Sequence, residues 1–307
     1  MELSIVTTLY RSKPFLPTFF AQITDEVKKL GVADYEIVVV NDGSPDDSLE
    51  YCIEARQSNE KIRIVDLSRN FGHHYALQAG LSFASGDYVY IVDNDLETPA
   101  SFLATCYDEI KKDLTLDLVY GVQEKRKGHF VEKFGGSTFW STFNYLSDTK
   151  VPANILTESL MTRKFVNEFL RLNDANLFFA GMQHWVGLEK RGLECKKGQR
   201  KGLSTYTFSK RVALMIQALT TFSGKPLELL FYFGLTITLV SVLYLIFIIF
   251  QKIVLGDAIS IGWTSMVAIN VLSLGLISTF LGIIGLYVYR IYRQVQGRPN
   301  HIIKKIY

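Results

Sequence analysis

The pattern of apolar and polar positions divides the chain in two. Over the first 120 residues, short apolar runs alternate with stretches of helical periodicity. Leu3 to Thr7 reads as a strand and Phe15 to Leu30 as a helix closed by Gly31. Tyr35 to Val40 is an apolar run without alternation, as expected of a strand buried on both faces of a parallel sheet. Asp46 to Gln57 reads as a helix, Ile62 to Leu67 as a strand and Tyr75 to Ala84 as a helix. Tyr88 to Val92 is a fourth strand, Pro99 to Lys112 a helix and Leu116 to Gly121 a fifth strand. Strands separated by helices imply right-handed βαβ units and a mostly parallel α/β sheet. Ligands of such sheets bind at the carboxyl ends of the strands. Residues 122–207 are less regular, with helices expected at Phe130 to Leu146, Arg163 to Leu172 and Gly181 to Lys190.

The second part of the chain has another character. Phe208, Val212, Met215, Ile216, Leu219 and Phe222 recur at helical spacing beside Lys210 and Arg211. That suits a helix lying in a membrane interface, or an amphipathic helix packed on the domain surface. Leu229 to Phe250 and Ala258 to Tyr289 contain no charged residue. Each run exceeds the roughly 20 residues needed to cross a bilayer core. A buried hairpin of a soluble protein is the competing reading.

Composition sharpens this picture. The 307 residues carry 33 Lys+Arg against 30 Asp+Glu, which makes no global case for nucleic-acid binding. Hydrophobic residues make up 48% and the mean hydropathy is +0.15, an excess concentrated in the two long runs. A wholly soluble enzyme and a many-pass transporter are both excluded. Met1 to Val6 enters an apolar run without a basic leader, so no cleaved signal peptide is expected. Cys52, Cys106 and Cys195 show no ligand spacing and read as buried or incidental thiols. Lys190 to Lys225 is strongly basic, with Glu194 its only acid, and Arg290 to Tyr307 holds no acid. The positive-inside rule therefore puts both ends in the cytoplasm and the short connection outside.

Candidate chemistry lies at strand ends. Asp93-Asn94-Asp95 presents two carboxylates just past a buried strand. Mg²⁺ and Mn²⁺ are often held by one or two carboxylates plus substrate phosphates. Solvated or capping acids are the alternative. Asp42, in Asn41-Asp42-Gly43-Ser44, can accept hydrogen bonds from a nucleotide, or serve the turn alone. Lys196, Lys197, Arg200 and Lys201 suit phosphate oxygens or anionic headgroups, and Lys125 and Arg126 are a weaker pair. His73 and His74, being adjacent, do not face one metal readily and are not assigned a catalytic role. Trp185 reads as packing, with acceptor or sugar contact left open. No P-loop, GxGxxG or Ser/His/Asp order is present.

Several segments together resemble family 2 glycosyltransferases of the GT-A fold, and among them the polyprenyl-phosphate glycosyltransferases. They are Ser4 to Tyr10, Glu36 to Ser48, Leu67 to Leu81, Gly86 to Pro99 and Phe178 to Leu188, with the paired spans and the tail Gly285 to Ile303. The resemblance implies an inverting, metal-dependent hexosyltransferase that moves one sugar from a nucleotide sugar, by default a UDP-hexose, to undecaprenyl phosphate at the cytoplasmic face of a bacterial inner membrane. Cell-surface glycan modification would be its purpose. It implies that Thr7, Leu9, Tyr10, Asp42 and Asp93 contact the nucleotide, and that Asp93, Asp95 and Glu97 surround Mg²⁺ or Mn²⁺. Arg200, Lys201, Ser204, Lys125 and Arg126 would take the acceptor phosphate, with Asp95, Arg200 and Glu158 catalytic.

The domains expected are residues 1–121 for the nucleotide sugar and 122–207 for the acceptor. An interfacial helix at 208–226 follows, then spans at 227–250 and 263–289 around a connection at 251–262. A basic tail, 290–307, ends the chain. Four motifs depart from the family pattern. The usual Pro-x-Tyr-Asn reads Thr8-Leu9-Tyr10-Arg11, a frequent Gln is Glu97, an expected acid is Thr157, and a lysine is replaced by Thr205. An acceptor phosphate is already ionised near neutral pH, so a strong base is not required. A hydroxyl acceptor, for which Glu158 is the candidate base, and a silent membrane scaffold are the competing functions. Gly275, Gly282 and Gly285 allow close helix packing and hence a homo-oligomer.

Overall fold

The structure is a computed structural model that describes residues 1–123, 144–147, 149–172, 174–196, 198, 223–255 and 262–307. The alternating pattern of the first 120 residues folds as read: β1 (Leu3–Leu9), α1 (Leu16–Lys29), β2 (Tyr35–Asn41), α2 (Ser48–Ser58), β3 (Ile62–Leu67), α3 (His73–Phe83), β4 (Tyr88–Ile91), α4 (Phe102–Lys112) and β5 (Leu118–Gln123). Next come β6 (Ile155–Thr162), α5 (Arg163–Arg171), α6 (Phe179–Trp185) and β7 (Lys190–Cys195). Two long helices, α7 (Lys225–Leu255) and α8 (Trp263–Val295), and the short β8 (Ile303–Ile306) complete the chain.

The eight strands form one mixed sheet in the order β7-β5-β6-β4-β1-β2-β3-β8. β4, β1, β2 and β3 run parallel, whereas β6 and β8 are antiparallel to their inner neighbours. The order of parallel strands reverses between β1 and β4. Loops leaving those two strands diverge to opposite sides and open a crevice. Apolar cores cover both sheet faces. One holds Leu16, Phe19 and Ile23 of α1 with Phe102, Cys106 and Ile110 of α4. The other holds Ala76, Leu77 and Leu81 of α3 with Phe165 and Phe169 of α5. The second requires close approach: a Cβ on Gly80 of α3 would stand 2.4 Å from Val6 and 3.0 Å from Val40.

Three expectations are corrected. The helix read over Gly181 to Lys190 is α6, which stops at Trp185, and Lys190 opens an edge strand. Residues 155–162, read as irregular, form a strand whose register pairs Tyr90 with Leu160. The helix expected at 263–289 continues to Val295 as α8, into the segment read as tail, and Ile303–Ile306 then pairs with β3. The expected helix at Phe130 to Leu146 lies mostly, and the amphipathic helix at Phe208 to Phe222 wholly, outside the described residues.

Helix α7 spans 31 residues and α8 spans 33. Both leave large apolar side chains outward, among them Phe231, Leu235 and Leu239 of α7 and Leu274, Ile277 and Leu281 of α8. They touch through Phe233 and Phe280, ring centroids 6.0 Å apart. Among the described residues, Ser273–Val295 is the segment long and apolar enough, by length and composition, to cross a membrane.

Candidate functional site

The acidic turn sits at the crevice between β1 and β4. The Val92 amide still bonds Val6 O, in line with the ladder, and Asp93-Asn94-Asp95 then turns away. Asn94 is buried, and its Nδ2 donates to Thr8 O across the gap at 2.7 Å. This bond pins the turn onto the end of β1, with a half-buried carboxylate on either side. Asp95 Oδ1 accepts the Glu97 amide at 3.0 Å, while Leu96 between them holds φ at 61°. A bulky residue in the left-handed region stores roughly 1 kcal/mol or more of strain, which the turn must hold. The Gly198 amide donates to Glu97 O at 2.7 Å, so the start of the basic Lys196 loop lies against this turn.

Helix α3 closes the other side. Gly72 precedes it at φ 107°, and its first residue, His73, bridges the two strand ends. His73 Nε2 lies 3.5 Å from Asp93 Oδ1 and Nδ1 lies 3.1 Å from Thr8 Oγ1. A neutral ring can donate to the carboxylate and accept from the hydroxyl at once. Desolvation holds the His73 pKa below its ordinary value, and the Asp42 and Asp95 carboxylates offset this only in part.

Asp42 is used differently. It is buried, Oδ1 accepts the Phe71 amide at 2.7 Å and Oδ2 the Gly72 amide at 3.0 Å. Asn70 Nδ2 returns a bond to Asp42 O. Gly43, at φ 60°, lets this loop lie flat on the turn, since a Cβ there would meet Asn70 N at 2.5 Å. Burial raises the Asp42 pKa, and the two amides only partly offset it. Asp42 therefore orders the loop that carries His73.

The other expected residues divide. Thr7 and Leu9 have no exposed surface, whereas Tyr10 is 50% exposed. Arg11 beside it holds φ at 56°, with its amide on Ser44 Oγ at 2.8 Å. The family's Asn at this position tolerates the left-handed region better than Arg does. Glu158, expected as a catalytic acid or base, has no exposed surface and lies within electrostatic reach of Tyr90 and Cys106. Trp185, read as packing, is 60% exposed, while its neighbours Gln183 and His184 are buried together with Phe179, Gly181 and Met182 of the same helix. Gln183 Nε2 donates to Ser159 Oγ at 3.0 Å. Lys125, Arg126, Lys197, Arg200, Lys201 and Ser204 lie outside the described residues.

Among the described residues, no group of three or more His, Cys, Asp or Glu side chains is gathered to hold a metal. Asp93, Asp95 and Glu97 are therefore not a ready three-carboxylate cage. Thr8, His73 and Asn94 join the candidate site without having been singled out for it. The His-His pair after Arg69-Asn70-Phe71-Gly72 was visible, but its partner Asp93 is 20 positions away.

A mixed sheet with an acidic turn at its β1/β4 switch point is the GT-A-like fold of glycosyltransferases. The match to the family described as "Glycosyl transferase family 2" covers residues 4–170, and the chain belongs to that family. It is 32% identical to the uncharacterized glycosyltransferase YkcC of Bacillus subtilis, across 100% of this chain and 94% of that one. It is 30% identical to the SfII prophage-derived bactoprenol glucosyl transferase of Shigella flexneri, across 99% and 98% respectively. Among solved structures, the mannosyltransferase PcManGT of Pyrobaculum calidifontis, in complex with GDP-Man and Mn²⁺, is similar in fold. Its TM-score is 0.50 at 16% identity, covering 96% of this chain and 86% of that one.

Proposed function

We propose that this glycosyltransferase moves one hexose, with inversion, from a nucleoside diphosphate sugar to a polyprenyl phosphate at the cytoplasmic face of a bacterial membrane. The observation that carries the reading is the Asp93-Asn94-Asp95 turn, pinned to Thr8 O at the switch point of a chain that also carries two long apolar helices. Full-length similarity to a bactoprenol glucosyl transferase supports the acceptor. The uncharged runs and their basic flanks support two membrane spans with both ends cytoplasmic.

Two half-buried carboxylates flanking one anchored residue fit a hard divalent cation whose remaining ligands are diphosphate oxygens. Asp93 and Asp95 would hold it, with Glu97 beside them. When bound, such a cation stabilises negative charge on the departing nucleoside diphosphate. His73 orients Asp93, and Asn94 fixes the distance of both carboxylates from β1. Asp42, through the Phe71 and Gly72 amides, holds the donor-side loop in place for the nucleotide, beside exposed Tyr10. The acceptor phosphate brings its own negative charge, so attack on the anomeric carbon needs no general base, consistent with the burial of Glu158. Arg200, Lys201, Ser204, Lys125 and Arg126 are the proposed basic and polar partners of that phosphate.

The test uses the full chain in detergent with undecaprenyl phosphate, Mn²⁺ or Mg²⁺, and radiolabelled UDP- and GDP-sugars offered singly. Label from one donor should enter the lipid phase, disappear with EDTA and return with metal. Donor binding without lipid label from any sugar would overturn the acceptor assignment.

A further inference from the structure

A second basic site lies behind the donor loop. A cavity of about 760 Å³ opens where the β3–α3 loop, the end of α8 and the C-terminal tail meet. Arg69 contributes from the loop, Arg293 from α8 and Arg298 from the tail, with Tyr75, Tyr292 and Asn300 among the other walls. Among the described residues that line it, none is an aspartate or glutamate. Three arginines line one cavity that has no lining carboxylate, a composition that suits the oxygens of a phosphate.

The cavity is a built feature. Asn300 Nδ2 donates to Gln78 Oε1 and to Asp174 O, both at 3.0 Å, and so ties the tail to α3. Gln294 Oε1 accepts the Ala175 amide at 2.8 Å, and Tyr75 Oη donates to Ala175 O at 2.8 Å. β8 then locks the tail to β3. Arg69 is steadied over the Phe71 ring, 4.0 Å from its centroid.

Its position selects among phosphates. Tyr292 and Arg293 end the segment Ser273–Val295, which is long and apolar enough to cross a membrane. Tyr289 and Tyr292 are each 58% exposed there, as aromatic residues are at a headgroup layer. The loop carrying Arg69 also supplies the Phe71 and Gly72 amides to Asp42 and leads into His73 on Asp93. One loop thus walls both this cavity and the donor crevice.

We infer that this cavity binds the phosphate of a membrane lipid, with Arg293 and Arg298 as its principal ligands. The inference rests on the membrane placement and lipid acceptor proposed above. The phosphate belongs either to a polyprenyl acceptor held here before it reaches the donor crevice or to an anionic phospholipid.

The test compares the wild-type full chain with R293Q/R298Q and R293K/R298K in phosphatidylcholine nanodiscs. The ligands are farnesyl phosphate, phosphatidylglycerol and inorganic phosphate, offered separately, and the melting temperature is followed in parallel. The glutamine pair should weaken farnesyl phosphate binding by about tenfold or more, with the lysine pair recovering most of it and the melting temperature unchanged. Loss confined to farnesyl phosphate supports the site and names the acceptor. Equal loss for phosphatidylglycerol supports it and names the headgroup. Unchanged binding of both lipids overturns it. If the wild type binds lipid yet transfers no sugar, the proposed function fails while the cavity stands. If the glutamine pair binds farnesyl phosphate and phosphatidylglycerol as the wild type does while sugar transfer continues, the cavity falls and the function stands.

Discussion

Asp42 and Asp95 occupy turns that look alike in sequence, each after a buried strand of the parallel sheet and each next to an asparagine. Their surroundings differ. Asp42 is buried, and both its oxygens are held by the Phe71 and Gly72 amides. Asp95 is half-buried and accepts one amide, that of Glu97. The cause is the neighbouring strand. β2 lies beside β3, whose following loop folds back over Asp42 because Gly43 leaves room for it. β4 lies beside β1 at the order reversal, where diverging loops leave the acid facing the crevice. A strand-end carboxylate becomes structural when the next loop covers it and ligand-facing when sheet order keeps that loop away.

Substitutions can separate the two roles. Asp95→Ala should lower sugar transfer by about 100-fold or more, equivalent to roughly 3 kcal/mol, with the melting temperature unmoved. Retained turnover would sink the metal-binding assignment. Asp42→Ala should do the reverse at the level of the fold, lowering stability by about 2–3 kcal/mol because two buried amides lose their acceptor. Gly43→Ala should cost about 1–3 kcal/mol by lifting the same loop, and should combine with Asp42→Ala less than additively. A thermal melt of each variant reads these effects, and additive losses would show that loop and acid are independent.

The helix that follows the Asp42-bound loop carries a pH signature. Burial, above all, pushes the His74 pKa down to about 4, with His73 adding to it and the Leu177 carbonyl opposing it. The unfolded chain takes up this proton near pH 6.5 and the folded chain only near 4. The contribution is therefore complete above pH 6.5 and lost as pH falls through that window, by about 3 kcal/mol at most. His74→Phe should flatten this part of a stability–pH profile, and an unchanged slope would contradict it. The smallest effect belongs to Arg11, beside the Asp42 turn. Arg11→Asn should stabilise the chain by about 0.5–1 kcal/mol by easing its positive φ, which a melt would register as a small rise.

Much of the parallel half was legible in sequence. β1 to β5 and α1 to α4 fall close to where apolar runs and helical spacing place them, because strands covered on both faces leave continuous apolar signals. The remaining strands left weaker ones. β6 carries Thr157, Glu158 and Ser159 in its middle. β7 is an edge strand in which only Cys195 is buried. β8 is four residues with two lysines at its centre, a pattern that reads as a basic tail until β3 is set beside it. Lysine-rich short edges are also a way of protecting a sheet from further pairing.

The candidate site splits along the same line. Asp93 and Asp95 were found because their chemistry is concentrated in three consecutive residues after a strand. His73, Thr8 and the three arginines of the cavity were not, because each acquires its partner from a distant segment. What the sequence alone determined is the alternation of elements, the acidic turn and the two long apolar helices, all written in local periodicity and composition. Tertiary structure alone decided which strand-end acid is covered and which faces the crevice. It also decided that the basic tail closes the sheet beside the end of α8. Those outcomes depend on strand order and long-range pairing, and no local pattern encodes which strand will become a neighbour.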